Sequence, residues 1–147
     1  MPVKSFRGKI GQQEQETIHL HTNNGSTGYR INKFQLFPDQ PGTSTVENVV
    51  QIFKIQQSSV PAAGAATVDF SDNTLLAAAF YNGEAAGEYY LNVIFDNEIF
   101  NQDIYVTHTN NQSGASVNYY IELEQIKLSL DENTVATLKD IRNIKSV

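Results

Sequence analysis

Apolar and polar residues alternate with a period of two through most of this chain, the repeat of a strand with one face buried and the other wet. The alternation predicts strands over residues 3–10, 17–21, 29–37, 48–57, 89–95, 103–109 and 117–130. Within 17–21, Ile18 and Leu20 share one face while His19 and His21 share the other. The parity changes inside 29–37, where Tyr29 and Ile31 are odd but Phe34 and Leu36 are even, so a bulge is expected near Lys33. In 117–130 the apolar set moves from Val117, Tyr119, Ile121 and Leu123 to Ile126, Leu128 and Leu130. A second bulge at Glu124 and Gln125 would keep both halves on one core.

Turn chemistry separates these segments. Asn23, Asn24, Gly25 and Gly28 supply residues that tolerate positive φ, and Pro38 and Pro41 deny a ladder its donors. Residues 58–66 are small and flexible and read as an exposed loop. Ser71 and Asp72 suit the cap of a short helix over 74–79, although a strand over 75–81 fits nearly as well. Ser129 with Glu132 resembles a capping box, and Val135, Leu138 and Ile141 recur at helical spacing, which predicts a C-terminal helix to about residue 143. The expectation is one domain over residues 1–147: an all-β antiparallel sandwich, jelly-roll-like or Ig-like, of about eight strands with one or two short helices. A short echo, His21, Thr22, Asn23, Asn24 and Ser26 against His108, Thr109, Asn110, Asn111 and Ser113, suggests two similar hairpin tips; turn preferences alone also account for it.

Charge adds an asymmetry. Residues 55–126 hold nine acids and no lysine or arginine, whereas residues 1–54 hold six basic and four acidic side chains and residues 127–147 four and three, for a net charge of −6. Such segregation points to complementary contacts between chains. An acidic middle repels phosphate backbones, so nucleic acid is not an expected partner. Asn and Gln together number 25 against 18% charged residues, which implies a polar surface rich in uncharged amide. No stretch approaches the roughly 18 apolar residues of a membrane span. The first ten residues lack the apolar run of an export signal, so synthesis in a cytoplasm is expected.

Candidate chemistry is sparse. Absence of cysteine excludes disulfides, thiolate metal sites and cysteine nucleophiles. His19, His21 and His108 are the only imidazoles for a metal, and strand histidines are commonly just solvated. Asp69, Asp72 and Asn73 offer oxygen ligands without the full calcium-loop pattern. No Gly-x-Ser-x-Gly elbow is present, and the turn through Gly25 and Gly28 lacks the lysine of a phosphate loop. Glu122 and Glu124 read as the solvent face of a strand. Neither cofactor, metal nor catalytic residue is expected. Tyrosines 81, 89, 90, 105, 119 and 120 make a carbohydrate platform the rival reading, against which tryptophan is missing.

Residues 28–37 (GYRINKFQLF), 92–107 (NVIFDNEIFNQDIYVT) and 118–141 (NYYIELEQIKLSLDENTVATLKDI) resemble small virion structural proteins of tailed bacteriophages of marine bacteria. The resemblance implies a non-enzymatic capsid decoration or minor capsid protein, located in the virion. It implies partners among the major capsid protein or other virion proteins, and a homo-oligomer, with a trimer favoured. The alternative is a tail- or fibre-associated receptor or carbohydrate-binding module. Lys4, Arg7 and Lys9 are the expected protein interface, docking against an acidic neighbour.

Overall fold

The computed structural model describes residues 2–20, 26–40, 47–82, 89–95, 98–111 and 115–129, and among these it contains eight strands and no helix. They are β1 (Val3–Ile10), β2 (Glu14–Ile18), β3 (Thr27–Pro38), β4 (Glu47–Phe53), β5 (Leu75–Asn82), β6 (Tyr89–Ile94), β7 (Ile104–Asn110) and β8 (Val117–Lys127). All pairings are antiparallel. The strands form a three-stranded sheet of order β1-β8-β3 and a five-stranded sheet of order β2-β7-β4-β5-β6.

The pairs β1·β8, β2·β7 and β4·β5 nest inside one another like a long hairpin rolled into two layers, which is jelly-roll rather than immunoglobulin connectivity. A β3·β6 ladder would complete the roll. Instead β6 pairs with β5, and the gap to β3 is bridged by side chains: Tyr90 Oη and Asn92 Nδ2 both donate to the Phe34 carbonyl, at 2.9 and 2.7 Å. Further along the same edge, Tyr29 and Phe100 exchange backbone hydrogen bonds of 2.7 and 3.0 Å. The Tyr29 N–H and carbonyl and the Phe34 carbonyl on this edge of β3 are thus satisfied without a full partner strand.

Between the sheets lies one apolar cluster. Ile31, Phe34, Leu36, Tyr119, Ile121 and Leu123 enter it from the three-stranded sheet, and Val50, Ile52, Ala77, Ala79, Ile104 and Val106 from the other. The parity change in β3 is a bulge, as expected: Ile31 pairs with Leu123 and Lys33 with Glu122, leaving Asn32 as the extra residue. No bulge occurs at Glu124 and Gln125, where the ladder runs unbroken to Lys127. Leu128 regains the core because the chain leaves the ladder there, anchored by a 2.8 Å bond from its N–H to the Ser26 carbonyl.

The short helix over 74–79 gives way to β5. Leu75, Leu76, Ala77, Ala78 and Ala79 are all buried, because β5 is hydrogen-bonded on both edges by β4 and β6 and needs no helical stripe. Asp72 accepts from the N–H and hydroxyl of Thr74 at 2.9 and 2.7 Å, a turn that mimics a helix cap in sequence. Residues 58–66 are mostly exposed, yet they are strapped to the five-stranded sheet through Thr109 Oγ1 to the Pro61 carbonyl and Gly64 N–H to the Asn110 carbonyl. Gly64 has φ of 76°, a conformation glycine adopts without strain. The expected C-terminal helix and the first copy of the His-Thr-Asn-Asn echo lie outside the described residues, and the second copy begins within β7 rather than at a tip.

Deleting Asn32 should turn half of β3 inside out and abolish the cooperative urea transition. Asn32→Ala, which keeps the residue count, should change stability by less than about 0.5 kcal/mol. A deletion variant that unfolds cooperatively at the parent midpoint would remove the bulge as the device that sets register.

Candidate functional site

The outer face of the three-stranded sheet carries the polar residues of β1, β8 and β3 in rows fixed by register. Arg7, Tyr120 and Gln35 form one row, and Lys9, Asn118 and Phe37 the next. Further along, Lys33 Nζ lies 3.7 Å from Glu122 Oε2 and Arg30 Nη2 2.6 Å from Glu124 Oε2. Two acids of the middle segment, Glu122 and Glu124, are therefore matched within the chain by cations of the first third. Lys54 with Glu98 at 2.7 Å extends this matching. Segregation of charge along the sequence becomes interleaving on the folded surface, since β8 sits between β1 and β3. The amide richness also has an internal share: Asn48, Gln51, Asn82, Asn101 and Asn110 are buried.

Lys4, Arg7 and Lys9 all lie on β1, an edge strand, but do not share a face. Arg7 and Lys9 project outward beside Tyr120 and Asn118. Lys4 pairs with Leu123, on the inner parity, and its ammonium stands 5.9 Å from the Tyr29 ring centroid. Lys9 reaches Asp39 at 3.5 Å with 59% of its side chain exposed, a contact of little energetic weight. Among the described residues Arg7 has no acidic partner.

An open groove of about 1030 Å³ crosses this end of the molecule. Four of the tyrosines singled out in the sequence line it: Tyr119 and Tyr120 from β8, Tyr81 and Tyr90 from the five-stranded sheet. Phe37, 64% exposed, adds another ring, and Arg7, Lys9, Gln35 and Asn118 supply polar groups. Tyr105 is not part of it. Gly8 lets the Tyr119 ring lie close against β1, because a Cβ there would stand 2.8 Å from the Tyr119 hydroxyl and the ring would have to shift. That hydroxyl lies 3.4 Å from Glu16 Oε2 of β2, and burial together with the carboxylate pushes its pKa up to about 12. Burial likewise raises the Glu16 pKa, against the lowering effect of the tyrosine hydrogen bond. Neither Phe37 nor Gln35 stood out in the sequence; only the register across three strands sets them beside Arg7.

The other candidates are dispersed. Asp69 Oδ1 accepts from the N–H and hydroxyl of Ser71, as Asp72 does from Thr74, so each spends an oxygen on its own turn. Among the described residues no three His, Asp or Glu side chains gather as a metal site. His19 is exposed on β2's trailing end, while His108 is fully buried. A neutral imidazole donates from one nitrogen and accepts at the other. In His108, Nδ1 donates to the Gly11 carbonyl at 2.9 Å and Nε2 lies 2.9 Å from Asn48 Oδ1, from which position the amide, turned to present its NH2, donates to a neutral ring, so both nitrogens are committed inside.

Burial holds the His108 pKa below its ordinary value, with the Gly11 carbonyl and nearby Glu14 opposing. The unfolded chain then binds the extra proton first. Its contribution to stability is complete above the unfolded value of about 6.5 and declines as pH falls from there through the folded value. Urea unfolding between pH 7.5 and 5 should show this decline, and the difference between wild type and His108→Gln should shrink with acidification. A difference that does not vary with pH would exclude His108 as the source.

Compared with known proteins, the chain matches no family model and no curated sequence.

Proposed function

We propose that this protein is a non-enzymatic structural component of a phage particle, a decoration protein that stabilises the shell through protein–protein contacts with the major capsid protein or other virion proteins. Its place is the virion, and a homo-oligomer, a trimer first, is the assembly in view. The observation that carries the reading is β1: it is an edge strand, its residues are largely exposed, and the cations Lys4 and Arg7 have no acidic partner among the described residues. An unpaired edge accepts a strand or extended segment from a neighbour, and basic side chains along it select an acidic one. The two-layer core beneath keeps that edge rigid, which lowers the ordering cost of association. No residue is assigned a catalytic role.

A sugar- or receptor-binding module of the tail is the second reading, favoured by the gathering of Tyr81, Tyr90, Tyr119, Tyr120 and Phe37 about one groove. Aromatic faces beside amides and a free guanidinium are what a saccharide requires.

Replacing Lys4, Arg7 and Lys9 together by glutamate should abolish incorporation into particles, scored by sedimentation of assembled shells, while the thermal midpoint of the isolated protein stays within a few degrees of the parent. Undiminished incorporation of the folded triple variant would eliminate β1 as the docking edge.

A further inference from the structure

We propose that the outer face of the three-stranded sheet binds an acidic saccharide, with its carboxylate on Arg7 and its ring faces on Tyr120 and Phe37. This deepens the second reading above and rests on it. The rows Arg7, Tyr120, Gln35 and Lys9, Asn118, Phe37 place a cation, an aromatic ring and an amide within two strand spacings. With strands about 4.8 Å apart and outward residues about 6.7 Å apart along each strand, the six side chains tile an area of roughly 10 by 7 Å. That is the footprint of one or two sugar rings.

Three features select the ligand class. Sugar C–H faces stack on aromatic rings, and Phe37 is 64% exposed with no packing role in the core cluster. Hydroxyls both donate and accept, and the amides of Gln35 and Asn118 match them in both senses. A carboxylate is specified by charge: Glu122 and Glu124 are already paired with Lys33 and Arg30, so the cation left over on this face is Arg7, whose planar fork takes a carboxylate in two parallel hydrogen bonds. Lys9 reinforces it, since its contact with Asp39 is long and exposed. An acidic peptide would draw on the cations but has little use for two amides and an open aromatic face; it is the competing outcome of the test.

The full chain is titrated calorimetrically with a galacturonate oligomer, a neutral galactose oligomer of equal length and a polyglutamate peptide. The galacturonate should bind, the other two at least about tenfold more weakly, and Arg7→Gln and Phe37→Ser should each weaken galacturonate binding by about tenfold or more. Lys4→Gln should leave it unchanged, because Lys4 faces the other side of β1. Equal binding of both sugars, with Arg7→Gln silent, would overturn the acidic specificity while keeping a sugar site. Equal binding of polyglutamate would replace the saccharide by charge alone. No binding of either sugar to folded protein would remove both this inference and the second reading.

Discussion

Everything in this structure is organised around β8. Its inner residues Val117, Tyr119, Ile121 and Leu123 fill the centre of the core, and its outer residues Asn118, Tyr120, Glu122 and Glu124 form the middle file of the outer face. Because it is hydrogen-bonded on both edges, neither β1 nor β3 has a sheet to belong to without it. A side-chain period of two lets one strand serve both purposes, and any slip in its register would exchange them.

The same strand resolves the charge distribution. Folding lays Glu122 and Glu124 beside Lys33 and Arg30, which are distant in sequence, so part of the charge asymmetry along the chain is offset at the surface, in pairs of modest strength. Among the described residues, Lys4 and Arg7 on the edge strand β1 are left without an acidic partner.

The proposed assembly role and the proposed ligand site both draw on β1 and share Arg7 and Lys9, which stand over the tyrosine-lined groove, whereas the backbone edge and Lys4 belong to the assembly role alone. Gly8, between them, is the small residue that lets Tyr119 form the groove wall and reach Glu16 on the opposite sheet.

Alternation along the chain was sufficient to establish the all-β class, the two faces of β3 and β8, and the bulge near Lys33, since the constraint that a strand's neighbours point to opposite sides is local. It also placed Glu122 and Glu124 outward. Partner strands, by contrast, are chosen by the packing of the whole core, and this decided the jelly-roll nesting, the strand over 75–82 where both edges are paired, and the smooth ladder through Gln125. The groove belongs to that second class: Arg7, Gln35, Phe37 and Tyr120 are brought together only because β8 lies between β1 and β3, and a contact between residues more than a hundred positions apart leaves no trace in local periodicity.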